Sequence, residues 1–229
     1  MCGRFTLTAT PEEIKERFDV SNSFFDIYEK SYNIAPSHSV LAVIATSKER
    51  RIGKLRWGLI PTWANDEKIG YKLINARAET IHEKASFKTA FKKRRCLILA
   101  DGFYEWKREQ DTKQPMRITL QSDQLFAMAG IWEKWQPVKG EPIYSCAVIT
   151  TKPNKLVADI HDRMPVILNR QDEELWLNRD ISDVNLLQDM LKPYDAAKMV
   201  AYPVSALVNT PKNNSIDLIA PLCNPIKYE

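Results

Sequence analysis

Glycine is scarce in this sequence, with seven in 229 residues, and none lies in a GxGxxG or GxxxxGK[ST] arrangement. Loops that bring backbone close to a pyrophosphate need glycines at those spacings, so dinucleotide-binding and P-loop readings are excluded. Cysteine is also scarce. Cys2, Cys96, Cys146 and Cys223 are far apart and form no CxxC pair, which excludes zinc-ribbon and dithiol-redox chemistry. Disulfides are not expected in a reducing compartment. The three histidines form no HExxH, and GxSxG and EF-hand spacings are absent. No apolar run approaches the ~20 residues of a membrane span. After Met1-Cys2-Gly3-Arg4 the chain turns charged too soon for an export signal. The expected setting is therefore cytoplasmic, with no metal, no cofactor and no membrane partner.

Repeats, low-complexity tracts and Gly/Ser linkers are missing too, so residues 1–229 read as a single domain. At this length folding buries roughly 70–75% of the chain's surface, and the core needs no staples. The net charge of +4 permits an anionic partner without demanding one.

What is present is mostly strand-like. Apolar or alternating runs cover residues 40–46, 96–100, 116–120, 125–131, 143–151, 165–168 and 199–204, separated by turn residues rather than regular crossover helices. Helical signals are fewer. Thr10-Pro11-Glu12-Glu13 is a capping box with proline at the first helical position, leading into Ile14 and Phe18 on one face. Residues 83–93, 171–177 and 183–191 also read as helices. The expectation is an α+β domain with a curved, mostly antiparallel sheet or open barrel and peripheral helices. Cys96 and Cys146 sit inside apolar runs and read as small core residues.

A few residues stand out chemically. Removal of Met1 would leave Cys2 with an α-amine and a β-thiol on one skeleton. An α-amine has a pKa near ~7.7–8.0, so roughly 10–20% of it is neutral at pH 7, against well under ~0.1% of a lysine. Such an amine condenses with an aldehyde to a Schiff base. The thiol two carbons away can then close a five-membered thiazolidine. His161 lies among Asp159, Asp162 and Arg163, where a carboxylate can fix its tautomer. His38 and His82 read as structural or solvated. Glu105, between aromatics in Asp101-Gly102-Phe103-Tyr104-Glu105-Trp106, is placed for desolvation that would raise its pKa. Asn75-Ala76-Arg77-Ala78-Glu79-Thr80, read locally as a helix or turn edge, offers an amide for a sugar hydroxyl and an arginine for a phosphate. The basic run Lys88, Lys92, Lys93, Arg94, Arg95 is either a solvated face or a phosphate contact. Trp57 and Trp63 are either core residues or a stacking surface for unpaired bases.

The order of these segments is more specific than any one of them. Met1-Cys2-Gly3-Arg4-Phe5, Tyr32-Asn33-Ile34-Ala35-Pro36, Trp57-Gly58-Leu59-Ile60-Pro61, the Asn75–Thr80 and Asp101–Trp106 segments, and His161-Asp162-Arg163-Met164-Pro165 follow in register. The series closely resembles the SRAP family, the SOS response-associated peptidase-like proteins. The matches extend from residue 2 to roughly residue 219. The resemblance implies a SRAP fold with a positively charged cleft, removal of Met1, and a thiazolidine between Cys2 and the ring-opened sugar of an abasic site. It implies that Asn75 positions the crosslinking residue, and that Glu105 and His161 assist proton transfers. It places Arg4, Asn33, Pro36, Trp63, Arg77 and Arg163 on the DNA side. The expected partner is single-stranded DNA containing abasic sites, with its junctions to duplex. A monomer of bacterial or phage type is expected, nucleoid-associated when bound to DNA.

Two other readings compete: a thiol autopeptidase using Cys2 with Glu105 and His161, and a non-enzymatic single-strand-binding module. Only one residue precedes Cys2, so no propeptide is expected for autocatalytic removal.

Overall fold

A computed structural model describes residues 2–20, 28–46, 49–109, 112–122 and 124–227. In chain order the strands begin with β1 (Phe5–Leu7), β2 (Ser31–Ile34), β3 (Ser39–Ala45), β4 (Arg50–Trp57) and β5 (Asn75–Arg77). They continue with β6 (Arg95–Ala100), β7 (Gly102–Glu109), β8 (Thr112–Leu120), β9 (Phe126–Trp135) and β10 (Ile143–Thr151). The short strands β11 (Met164–Pro165) and β12 (Ile167–Leu168), then β13 (Met199–Pro203) and β14 (Ile226–Lys227), complete the set.

Five strands close on themselves in the order β10, β4, β3, β6, β9 and back to β10. Only the β10–β4 contact in this ring is parallel. The expected barrel is thus closed rather than open, because β10 is long enough to pair β9 along Ile143–Val148 and β4 on its other edge. β6 is buried at every position, as its run Arg95-Cys96-Leu97-Ile98-Leu99-Ala100 foretells, because one face fills the barrel and the other is covered. Gly130 of β9 lies opposite Cys96. A Cβ there would meet Cys96 Sγ at 2.8 Å and Ile98 Cδ1 at 2.7 Å, so only glycine fits. A second sheet, ordered β2-β1-β7-β8-β13-β14, packs one face on the barrel. Phe5, Phe103, Met116 and Ile118 face the main core, while Tyr104 and Tyr202 join Val204, Val208 and Leu218 in a smaller cluster behind.

The chain passes from barrel to second sheet at Asp101. Its carboxylate accepts from Thr6 Oγ1 (2.5 Å), the Thr8 amide, Thr8 Oγ1 (2.8 Å) and Arg117 Nη2 (3.2 Å), all inside the protein. Gly102 follows because a side chain there would meet the Arg117 guanidinium at 2.8–2.9 Å.

Helices are short and peripheral: α1 (Pro11–Phe18), α2 (Lys88–Lys93), α3 (Lys155–Ala158), α4 (Arg170–Leu177) and α5 (Val184–Asp189). The α1 capping box is present, with the Glu13 carboxylate accepting the Thr10 amide at 2.6 Å, and Ile14 and Phe18 are buried. The helix expected over 83–93 shortens to α2. Residues 78–87 instead run mostly as successive turns that bury Ile81 and Phe87, which one helical face could not do together. Of the basic run, Arg95 is buried and donates to five backbone carbonyls, and Arg94 pairs with Glu133 at 2.5 Å. Only Lys88, Lys92 and Lys93 remain as a solvated face. Among the described residues no helix is long and apolar enough to cross a membrane.

Candidate functional site

Four segments distant in sequence converge where the second sheet meets the barrel. Residues 75–77 form a strand, not the helix or turn edge that local pattern suggests. β5 pairs in parallel with β10, Asn75 opposite Val148 and Arg77 opposite Thr150. The alternation buries Ala76 and puts Asn75 and Arg77 on the other face. Asn75 Nδ2 donates to the Cys2 carbonyl at 2.9 Å, anchoring the segment just before β1. Its buried Oδ1 has no hydrogen-bond partner, which leaves an acceptor ready for a hydroxyl or amine. Met1, whose removal the sequence reading expects, lies outside the described residues.

Cys2 is fully buried. Burial first, then the Glu105 carboxylate, push its thiol far above the ordinary cysteine range, so no standing thiolate exists. Glu105 is on β7 opposite Met116 of β8, on the same face as Phe103, and is 2% exposed. Desolvation, reinforced by Asp162, raises its carboxyl to about 7. His161 follows α3, with Nε2 3.7 Å from Glu105 Oε2. The Arg163 amide donates to Nδ1 at 3.0 Å, which leaves the proton of the neutral ring on Nε2, facing Glu105. Asp162 Oδ1 is 2.9 Å from the same Nδ1, so the imidazolium would also find a partner. Burial, helped by the Arg108 charge, lowers the His161 pKa and keeps the ring neutral at pH 7. A near-neutral carboxyl beside a neutral imidazole can pass protons in both directions at physiological pH.

Glu105 carries a cost that sets a pH test. Between about pH 4.5, its ordinary value, and about 7, the folded chain keeps a proton that the unfolded chain has released. Stability therefore falls as pH rises through that window, by on the order of 3 kcal/mol when complete. Glu105→Gln is expected to melt with the wild type at pH 4.5 and several degrees above it at pH 8. A gain equal at both pH values in thermal unfolding would show that the carboxylate's burial is not the cause.

The remaining expected residues divide. Arg77 and Trp63 are exposed, Trp63 at 56%, and Arg77 has no hydrogen bond or ion pair among the described residues. Trp57 is in the core, its Nε1 donating to Ile74 O at 2.8 Å and its ring 5.1 Å from Phe5. Pro36 is half-buried, before Ser37 with φ of 74° in the turn from β2 to β3. Asn33 departs from the expected DNA side. It is 2% exposed, accepts from Arg4 Nη1 at 2.7 Å and donates to the carbonyls of Val208, Thr210 and Asn213. Asn33 thus holds Arg4, which also donates to Val208 O at 2.7 Å and lies over Trp106. Arg163 forks onto Glu79 at 2.8 and 2.9 Å and donates to Thr150 O at 2.6 Å. Glu79, with no role assigned from sequence, ties the Asn75 segment to the His161 segment across β10. Its place in the Asn75–Thr80 segment was the available signal. His82 meets Gln188 at 2.8 Å and His38 is exposed, both away from the acid–base pair.

A cavity of about 430 Å³ opens beside Glu105 and His161, lined also by Trp106, Arg108, Lys113 and Asn209. No cluster of three or more metal-ligating side chains occurs among the described residues.

Known proteins are similar to this chain over most of its length. Abasic site processing protein YoqW of Bacillus subtilis is 56% identical over 221 residues, covering 96% of this chain and 99% of its own. Abasic site processing protein HMCES of Xenopus tropicalis is 34% identical over 264 residues, covering 96% of this chain and 78% of its own. A crystal structure of a Bacteroides thetaiotaomicron protein superposes with a TM-score of 0.85 at 30% identity, covering 93% of this chain and 97% of that one. The profile of the SOS response associated peptidase family, SRAP, matches residues 1–211. This chain therefore belongs to the SRAP family.

Proposed function

We propose that this protein captures abasic sites in single-stranded DNA by forming a thiazolidine through Cys2, once Met1 is removed, and so shields the lesion from strand cleavage. The observation that carries the reading is the Asn75 amide on the Cys2 carbonyl, beside the buried Glu105–His161 pair. The names of the relatives, abasic site processing proteins, support the substrate class.

The chemistry balances without an outside reagent. The Cys2 amine adds to C1′ of the open sugar, giving a carbinolamine. The protonated Glu105 carboxyl donates to its hydroxyl, which leaves as water, and an iminium remains. The Glu105 carboxylate then takes the thiol proton as Sγ adds to C1′ and closes the ring. Aldehyde and aminothiol become thiazolidine and water, and Glu105 is regenerated. A carboxyl near 7 suits both half-steps. The raised thiol pKa supports this order over a protease-like attack, since the thiol acts only after a base has been created beside it.

The test is a denaturing gel of the purified protein with abasic single-stranded DNA, alongside mass spectrometry of its N-terminus. A heat-stable shifted band, absent with intact DNA, and a chain starting at Cys2 are expected. No band would overturn the proposal. Arg77→Ala is expected to weaken binding to intact and damaged strands alike and to reduce the salt slope by about 0.7, the share of one single-strand phosphate. Weakening confined to abasic DNA in a binding titration would remove Arg77 from the backbone.

A further inference from the structure

Past Tyr104, whose amide meets the Arg4 carbonyl at 2.9 Å, β7 leaves β1 behind and runs out as a ribbon with β8 alone. On that ribbon Arg108 and Lys113 are directly opposite each other. Like charges in directly opposed positions destabilise a strand pair, and neither side chain has a hydrogen bond or ion pair among the described residues. Both line the cavity that contains Glu105 and His161. Two other arginines of the site are already held, Arg4 by Asn33 and Val208, and Arg163 by Glu79.

We infer that Arg108 and Lys113 form an anion clamp that takes a backbone phosphate flanking the reacting nucleotide, a binding site for the strand rather than for the sugar. This rests on the proposed DNA function. An anion between the two cations removes their mutual repulsion, which gives the unpaired pair a physical purpose. Arg108 is three residues, about 10 Å along the strand, from Glu105. That separation keeps the phosphate away from a carboxylate that would repel it while the sugar reaches the acid–base pair. The Arg108 charge already depresses the His161 pKa, so the two positions are electrostatically in touch. Occupancy of the clamp would relieve that depression.

The test compares wild type with the Arg108→Gln/Lys113→Gln double variant, both exposed positions whose replacement leaves the core intact. Binding to intact single-stranded DNA is measured across salt concentrations, and crosslinking is measured with abasic DNA and with phosphate-free 2-deoxyribose. The expected variant has a salt slope lower by about 0.7 and needs roughly 3–10-fold more DNA for half-saturation. Its reaction with 2-deoxyribose should fall far less than its binding to DNA, and Arg108→Lys alone should retain the slope. An unchanged salt slope would overturn the clamp. An equal loss with 2-deoxyribose would also overturn it, by assigning the pair to the chemistry. If wild type binds DNA with the expected slope difference but forms no crosslink, the clamp stands and the proposed reaction fails.

Discussion

Cys2→Ala protein, incubated with abasic single-stranded DNA, is expected to leave no heat-stable shifted band on a denaturing gel. The loss should be complete rather than graded, because in the proposed reaction the thiol sulfur forms a bond and is not an auxiliary. An alanine amine can still form a Schiff base, but nothing then closes on C1′. The iminium is open to hydrolysis and to β-elimination that cuts the strand. Holding the thiol two carbons from the nitrogen makes ring closure intramolecular, and such closures carry effective molarities of ~10⁵ M or more. Cys2→Ser is the finer comparison. It keeps the amine and nearly the volume of the buried side chain, yet its hydroxyl closes a less stable ring, so only a labile adduct is expected. Reduction with borohydride should trap that adduct. A heat-stable band from Cys2→Ala without reduction would assign the bond to another nucleophile.

Asp101→Ala is expected to lower unfolding stability by about 3–5 kcal/mol, the usual result of removing one partner from a buried ion pair. Asp101 is 7% exposed and Arg117 is 4% exposed. Without the carboxylate, Arg117 keeps its bond to the Tyr202 hydroxyl at 2.5 Å but loses the carboxylate it pairs with among the described residues, and Thr6 and Thr8 lose an acceptor. The group joins β1 to the start of β7, so its loss also loosens the strand that carries Glu105. Urea unfolding should show a lower midpoint with the slope preserved. A change below ~1 kcal/mol would mean that Arg117 finds water or another partner.

Several parts of this architecture follow from local chemistry alone. The Thr10–Glu13 box produces α1 where its cap residues put it. Apolar runs at 40–46, 96–100 and 143–151 become β3, β6 and β10 within a residue or two. By contrast, Asn75-Ala76-Arg77 has no strand signature of its own. It is extended because β10, beyond its pairing with β4 at Ser145 and Cys146, offers it hydrogen-bond partners at Val148–Thr150. β4, with charged residues interleaved among Ile52, Leu55 and Trp57, is likewise fixed by its partners β3 and β10. Closure itself depends on one strand pairing with neighbours on both edges, a long-range fact that no sequence window holds.

The site divides in the same way. The sequence by itself determined which groups are available for the proposed chemistry: Cys2, Asn75, Glu105 and His161 supply an amine, a thiol, an amide and proton-exchanging groups that suit an aldehyde. It also lacks the glycine spacings of a phosphate loop and the CxxC and HExxH spacings of common metal sites. Only the tertiary structure decided the state of each group. Burial raised the Cys2 thiol and moved Glu105 to about 7, and the Arg163 amide set the His161 tautomer. It also decided which arginines are held and which remain available for phosphate. The physical reason is that desolvation and charge pairing depend on what surrounds a side chain, and here those surroundings come from residues as much as 204 positions apart, as Arg4 and Val208 are.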